Sequence, residues 1–99
     1  KRIVTLPYPI EINDVVMTSI QTHKSDEIYN RGKLQFDRLY KESDENPKIM
    51  AISVHPYLTG VPHRILFFEK LLDYILEHDG VEIMTGKQIY NWYTDQVLF

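Results

Sequence analysis

Cysteine is absent from the 99 residues, so a disulfide framework, a thiolate nucleophile and a cysteine-based zinc ribbon are excluded. That absence permits a reducing compartment without requiring one. No apolar run approaches the roughly 20 residues that cross a bilayer, and the N-terminus has no charged, apolar and small-residue order of a leader peptide. Positive charge is scarce too. Eleven Lys and Arg face 14 Asp and Glu, and because the basic residues are dispersed the chain has no footprint for a phosphate backbone. Internal repeats and low-complexity tracts are also missing. The expectation is that residues 1–99 are one soluble, cytoplasmic domain or part of one, with neither nucleic acid nor membrane as a partner. The opening KRIVTLPYP lacks Met and already reads as a strand, so the natural start is expected upstream.

What is present alternates between strand-like and helix-like patterns. RIVTLPYPIEI combines β-branched and aromatic residues, and Pro7 and Pro9 make it an irregular strand. Ser25 as N-cap, with Asp26 and Glu27 in the first turn, opens a helix carrying Tyr29, Phe36, Leu39 and Tyr40 to about Lys41. Ile49 to Val54, IMAISV, has almost no polar side chain on either face, the mark of a strand covered on both sides in a parallel sheet. Pro62 suits the first turn of a second helix with Ile65, Phe68, Leu72, Ile75 and Leu76 in one stripe, and Gly80 is its stop. VEIM predicts a third short strand. Thr85 and Gln88 then form a capping box for a last helix with Ile89, Trp92 and Tyr93.

Strands alternating with helices predict an α/β fold with right-handed crossovers and a parallel sheet. In such sheets ligands gather at the carboxyl ends of the strands. His55 stands at the end of IMAISV, and Asn13 and Asp14 follow the first strand, so parallel neighbours bring an acid and an imidazole to one edge. A carboxylate there orients the ring and favours its protonated form, which suits proton donation to a leaving atom. A histidine bonded to a loop carbonyl for structural reasons fits the same position equally well.

The segments LPYPIEINDVVM, KIMAISVHPYLTGVPHR, FFEKLLDYILEHDGV and TGKQIYNWY, in this order and spacing, resemble the C-terminal part of the polysaccharide deacetylase superfamily, the fold of carbohydrate esterase family four. EIND, HPYLTGVPHR and HDGV are most similar to its allantoinase-like branch, which hydrolyses small cyclic or linear C–N substrates. The resemblance implies the last three β/α units of a distorted (β/α)7 barrel, since a complete barrel of this kind needs about 250 residues. SVH resembles the late motif and makes His55 the catalytic histidine that protonates the leaving group. EINDV resembles the acidic motif and makes Asp14 the carboxylate that orients His55. Glu11 replaces the first Asp of that motif and Val15 its Trp, which puts a sugar groove in doubt. Glu11, Asn13 and Tyr57 are the candidate substrate-binding residues. The early motifs, which supply the base Asp, a His pair for a divalent metal such as zinc and an Arg, have no counterpart in the chain. The cofactor is therefore open.

Other polar residues have simpler readings. His63 is expected in solvent, His78 at the negative end of a helix dipole, and His23 in a linker; no pair of them has metal-ligand spacing. Thr59 lies in the loop after His55, where it can face a substrate. Phe67 and Phe68 are expected in the core, and Trp92 and Tyr93 are expected to pack on the sheet or on absent parts of the barrel. Two classes follow. One is a fragment of a C–N hydrolase whose partners are an amide substrate and the N-terminal part of its own barrel or a second copy. The other is a noncatalytic folding or assembly module.

Overall fold

Each α-helix begins at a chemically marked position in the computed structural model, which describes residues 3–96. Helix α1 runs Glu27–Glu42, α2 Pro62–Leu76 and α3 Gly86–Gln96. α2 starts on Pro62 after an extended Val61, because a proline at the first position forfeits only an N–H that has no helical partner anyway. α3 opens on the expected capping box: Thr85 N–H donates to Gln88 Oε1 at 2.8 Å, and Gln88 N–H donates to Thr85 Oγ1 at 3.2 Å. α1 departs from expectation by one residue. Asp26, not Ser25, is its N-cap, and the Asp26 carbonyl takes the N–H groups of Tyr29 and Asn30. Gly80 adopts φ +77°, the left-handed conformation that lets the chain turn back after α2.

Among the described residues the expected sheet does not form. Among the described residues the extended segments share one parallel bridge, Asn13 with Ser53, made by Ser53 N–H to Ile12 C=O at 2.9 Å and Asp14 N–H to Ser53 C=O at 3.1 Å. The direction is the predicted one, but no ladder extends it. Pro7 and Pro9 have no N–H to contribute. Residues 81–84 pair with neither segment; a cavity of about 190 Å³, lined by Met50, Ile52, Val81 and Ile83 together with Phe36 and Ile75, lies between them and residues 49–54. Among the described residues the helices of the three expected β/α units are formed, but no strand beyond this bridge is, so the barrel units are not seen. Arg2, the start of the first expected strand, lies outside the described residues.

Residues Val15–Ile20 form a π-helix that the sequence pattern does not announce, ended by Gln21 N–H bonding back to Val16 C=O at 2.8 Å and by Thr22 at φ 54°. Its Met17 joins Ile28, Phe36, Leu71 and Ile75 in the core. α2 therefore turns a face centred on Leu71 and Ile75 toward α1, which leaves Leu76, assigned to the stripe by sequence, exposed. Ile65, Phe68 and Leu72 are half-buried at its margins. Phe67 and Phe68 both pack against the core, as expected. α3 buries no residue among those described, and Trp92 and Tyr93 on it are exposed. A radius of gyration of 14.9 Å, against about 13 Å for a compact chain of this length, reflects a slab of 45 × 31 × 20 Å.

The α1–α2 contact is close because Gly32 faces Leu71. A Cβ on Gly32 would stand 2.5 Å from a Leu71 methyl carbon, and Leu71 is fully buried, so it has no room to retreat. Gly32→Val is therefore expected to destabilise the fold by about 1–3 kcal/mol through overpacking, read as a lowered thermal midpoint. Further along the same seam, Tyr74 donates to the Asp37 carboxylate, a bond that pushes its phenol up to about 12. His78 bonds the Tyr74 carbonyl through Nδ1 at 2.8 Å, the predicted place at the end of α2, and lies edge-on to Phe36, Tyr40 and Tyr74. Arg31 of α1 pairs with Glu27 at 2.8 Å and donates to the Glu11 carbonyl at 3.0 Å, tying α1 to the segment that leads into Asp14.

Candidate active site

The single bridge sets the register of the site. Immediately after it, Asn13 turns the chain: its Oδ1 accepts the Val15 N–H at 3.1 Å, its carbonyl accepts the Met17 N–H at 3.0 Å, and its amide donates to the Pro9 carbonyl at 3.3 Å. Such an Asx-type turn halts the extended run and starts the π-helix, leaving Asp14 at the junction. On the other segment His55 lies two residues beyond the bridging Ser53.

Asp14 is 3% exposed, and the hydrogen bonds to its carboxylate come from the loop that starts at His55. Its Oδ2 accepts the His55 backbone N–H at 2.6 Å and the Thr59 hydroxyl at 2.7 Å. Its Oδ1 lies 2.8 Å from His55 Nδ1. Burial is the largest influence on this carboxyl and by itself raises its pKa. The ring bond from His55, the backbone bond from His55 and the Thr59 hydroxyl outweigh it together and hold Asp14 below the ordinary carboxylate value. An ionised carboxylate only accepts, so Nδ1 carries the proton and Nε2 is the ring position left for chemistry. The arrangement can hold an imidazole in one tautomer and stabilise it when it takes a second proton.

The loop is shaped to make these contacts. The His55 carbonyl accepts the N–H groups of Leu58 at 3.1 Å and Thr59 at 2.9 Å, and Gly60 passes so near Pro56 that a Cβ there would meet the Pro56 oxygen at 2.6 Å. Arg64, in the first turn of α2, donates from Nη1 to the Leu58 carbonyl at 3.4 Å. Tyr57 stands at the apex with its ring 6.0 Å from the His55 ring, 66% exposed.

Of the residues singled out from sequence, Asp14, His55 and Tyr57 come together. Asn13 adjoins them, whereas Glu11 lies before the bridge, beside a cavity lined by Pro9, Ile49, Met50 and Ala51 and away from His55. The Glu11 side chain is exposed, and the polar atoms of Asn13 serve its own turn. Thr59, expected to be able to face a substrate, instead turns a buried hydroxyl to Asp14, a contact that the spacing of HPYLTG does not indicate. His63 is exposed, as expected, and His23 lies 3.8 Å from Glu27. Among the described residues no three His, Cys, Asp or Glu side chains gather where they could hold one metal ion. No helix among the described residues is long and apolar enough to cross a membrane.

The chain is 36% identical over 91 residues to a Schizosaccharomyces pombe protein named as a polysaccharide deacetylase, a match covering 90% of this chain and 28% of that protein. It is 33% identical over 55 residues to a Helicobacter pylori protein named peptidoglycan deacetylase, covering 56% of this chain and 18% of that one. The chain thus spans less than a third of the length of these curated relatives. No protein-family model matches it, and no solved structure matches it significantly. The two likenesses support the deacetylase superfamily as the origin of the chain and suggest a hydrolase parent.

Proposed function

We propose that this chain supplies the acid half of an active site that hydrolyses a non-peptide C–N bond, with His55 as general acid and Asp14 as the carboxylate that orients it. The observation that carries this reading is the Asp14–His55 pair, which fixes the ring through Nδ1 at 2.8 Å and leaves Nε2 free. In the imidazolium form Nε2 gives its proton to the departing nitrogen as the C–N bond breaks. The acyl carbon keeps an oxygen from water, and the ring returns to the neutral Nδ1–H tautomer. Asp14 remains ionised throughout and offsets the charge of the imidazolium. The water-activating base that the family resemblance implies has no counterpart in residues 1–99, so the whole protein carrying this chain must supply it.

The substrate class we favour is an N-acetylated carbohydrate, in keeping with the names of the two relatives. Tyr57, exposed beside His55, offers an aromatic face for a sugar ring. Glu11 and Val15, where the acidic motif has Asp and Trp, favour a second reading in which an allantoinase-like site takes a small ureide. The test is to assay the whole protein on an N-acetylglucosamine oligomer and on allantoin. Acetate release is the expected result. Ureide hydrolysis without acetate would select the second reading, and no turnover of either would leave the chain as a noncatalytic module.

A further inference from the structure

We infer that Thr59 is a positioning residue for this site: its hydroxyl pins the Asp14 carboxylate in the one orientation that sends a proton-free Oδ1 to His55 Nδ1. The inference rests on the hydrolase reading for its consequence but on geometry for its substance. Thr59 is 5% exposed and its Oγ1 is 2.7 Å from Asp14 Oδ2. A buried hydroxyl next to an ionised carboxylate must donate, because the carboxylate has nothing to offer but lone pairs. Oδ2 therefore receives two donors, the Thr59 hydroxyl and the His55 N–H, and Oδ1 is reserved for the ring.

Both ends of one short loop are thus fastened to one side chain. The loop also closes on itself through Thr59 N–H to His55 C=O at 2.9 Å. Tyr57 rides between the two fastened ends, so the hydroxyl that sets the ring of His55 also sets the aromatic face beside it. Without that hydroxyl, Oδ2 keeps a single donor, and the carboxylate is free to rotate toward a geometry in which Oδ1 no longer meets Nδ1. A misplacement of about 1 Å at a catalytic group can cost on the order of 100-fold in rate.

The experiment compares Thr59→Val, which keeps the shape and removes the hydroxyl, with Thr59→Ser, which keeps the hydroxyl, in the whole protein. Thr59→Val is expected to lower kcat roughly 10- to 100-fold with little change in KM, and Thr59→Ser to retain most of the activity. Nitrogen-15 NMR of the imidazoles is the second readout. The wild type is expected to show His55 as the Nδ1–H tautomer with a slowly exchanging Thr59 hydroxyl proton close to the His55 amide, and Thr59→Val to show a mixture of tautomers. Wild-type kcat and an unchanged ring spectrum in Thr59→Val would overturn the inference. So would a Thr59→Ser variant as impaired as Thr59→Val, which would assign the effect to the methyl group. If the wild type hydrolyses nothing, the hydrolase reading fails and the NMR readout alone decides Thr59. If Thr59→Val does not fold, absence of the hydroxyl proton from the wild-type spectrum overturns the assignment.

Discussion

His55→Ala in the whole protein is expected to lower kcat by about 10²–10⁴-fold, the range that a positioned general acid contributes, while leaving the fold in place. The asymmetry follows from how Asp14 is held. Alanine keeps the backbone N–H that reaches Oδ2 at 2.6 Å, and the Thr59 hydroxyl stays on the same oxygen, so the buried carboxylate loses one donor of three. The side chain of His55 is 37% exposed, and its removal takes nothing from the core. The stability loss should be that of one hydrogen bond to a charged group, about 1.5–3 kcal/mol. Steady-state kinetics beside a thermal melt separates the two effects. A variant with wild-type kcat would remove His55 from the mechanism, and one that fails to fold would make the histidine structural.

The helices were legible because their ends carry local chemistry. Thr85 with Gln88, Pro62 and Gly80 each act within a few residues, so their meaning survives without tertiary context. The face of α2 was less legible. Ile65, Leu66, Phe67, Phe68, Leu71, Leu72, Ile75 and Leu76 wrap most of the helix, and a stripe that broad does not say which side a neighbour will choose. Gly32, on a different helix, decides it by letting Leu71 approach.

The strands show the opposite limit. Apolarity in IMAISV reports that the segment prefers burial, but pairing is a property of two segments, and only Ser53 finds a partner among the described residues. That one bridge was still enough to place Asp14 and His55 together, since the argument for their meeting needed parallel direction and register at a single point. The π-helix at Val15–Ile20 was hidden because a 4.4-residue turn leaves no familiar periodicity in six residues. The bond from Thr59 to Asp14 was hidden for a related reason: the two residues are 45 apart, and a threonine in a turn has many ordinary explanations.

Asp14→Asn is expected to combine a catalytic loss as large as that of His55→Ala with a change in how stability depends on pH. An amide has one acceptor oxygen where the carboxylate has two. If that oxygen keeps the His55 N–H and the Thr59 hydroxyl, the NH₂ group faces Nδ1, which must then become an acceptor. The ring proton moves to Nε2, the imidazolium loses its compensating charge, and kcat is expected to fall by about 10²–10⁴-fold, as when the carboxylate partner of a catalytic histidine is neutralised elsewhere. The pH effect has a definite sign. Because the folded-state pKa of Asp14 is lowered, the folded protein resists taking up that proton more than the unfolded chain does. Its contribution is full above the ordinary carboxylate value, about 3.9, and is lost as pH falls through that value toward the lower folded one. Thermal midpoints measured from pH 6 to pH 2 should therefore drop more steeply below about pH 4 for the wild type than for D14N, since every other carboxylate is common to both. Parallel curves would show that Asp14 gains nothing from its three donors on folding, and with it the rigid Asp14–His55 pair would fall.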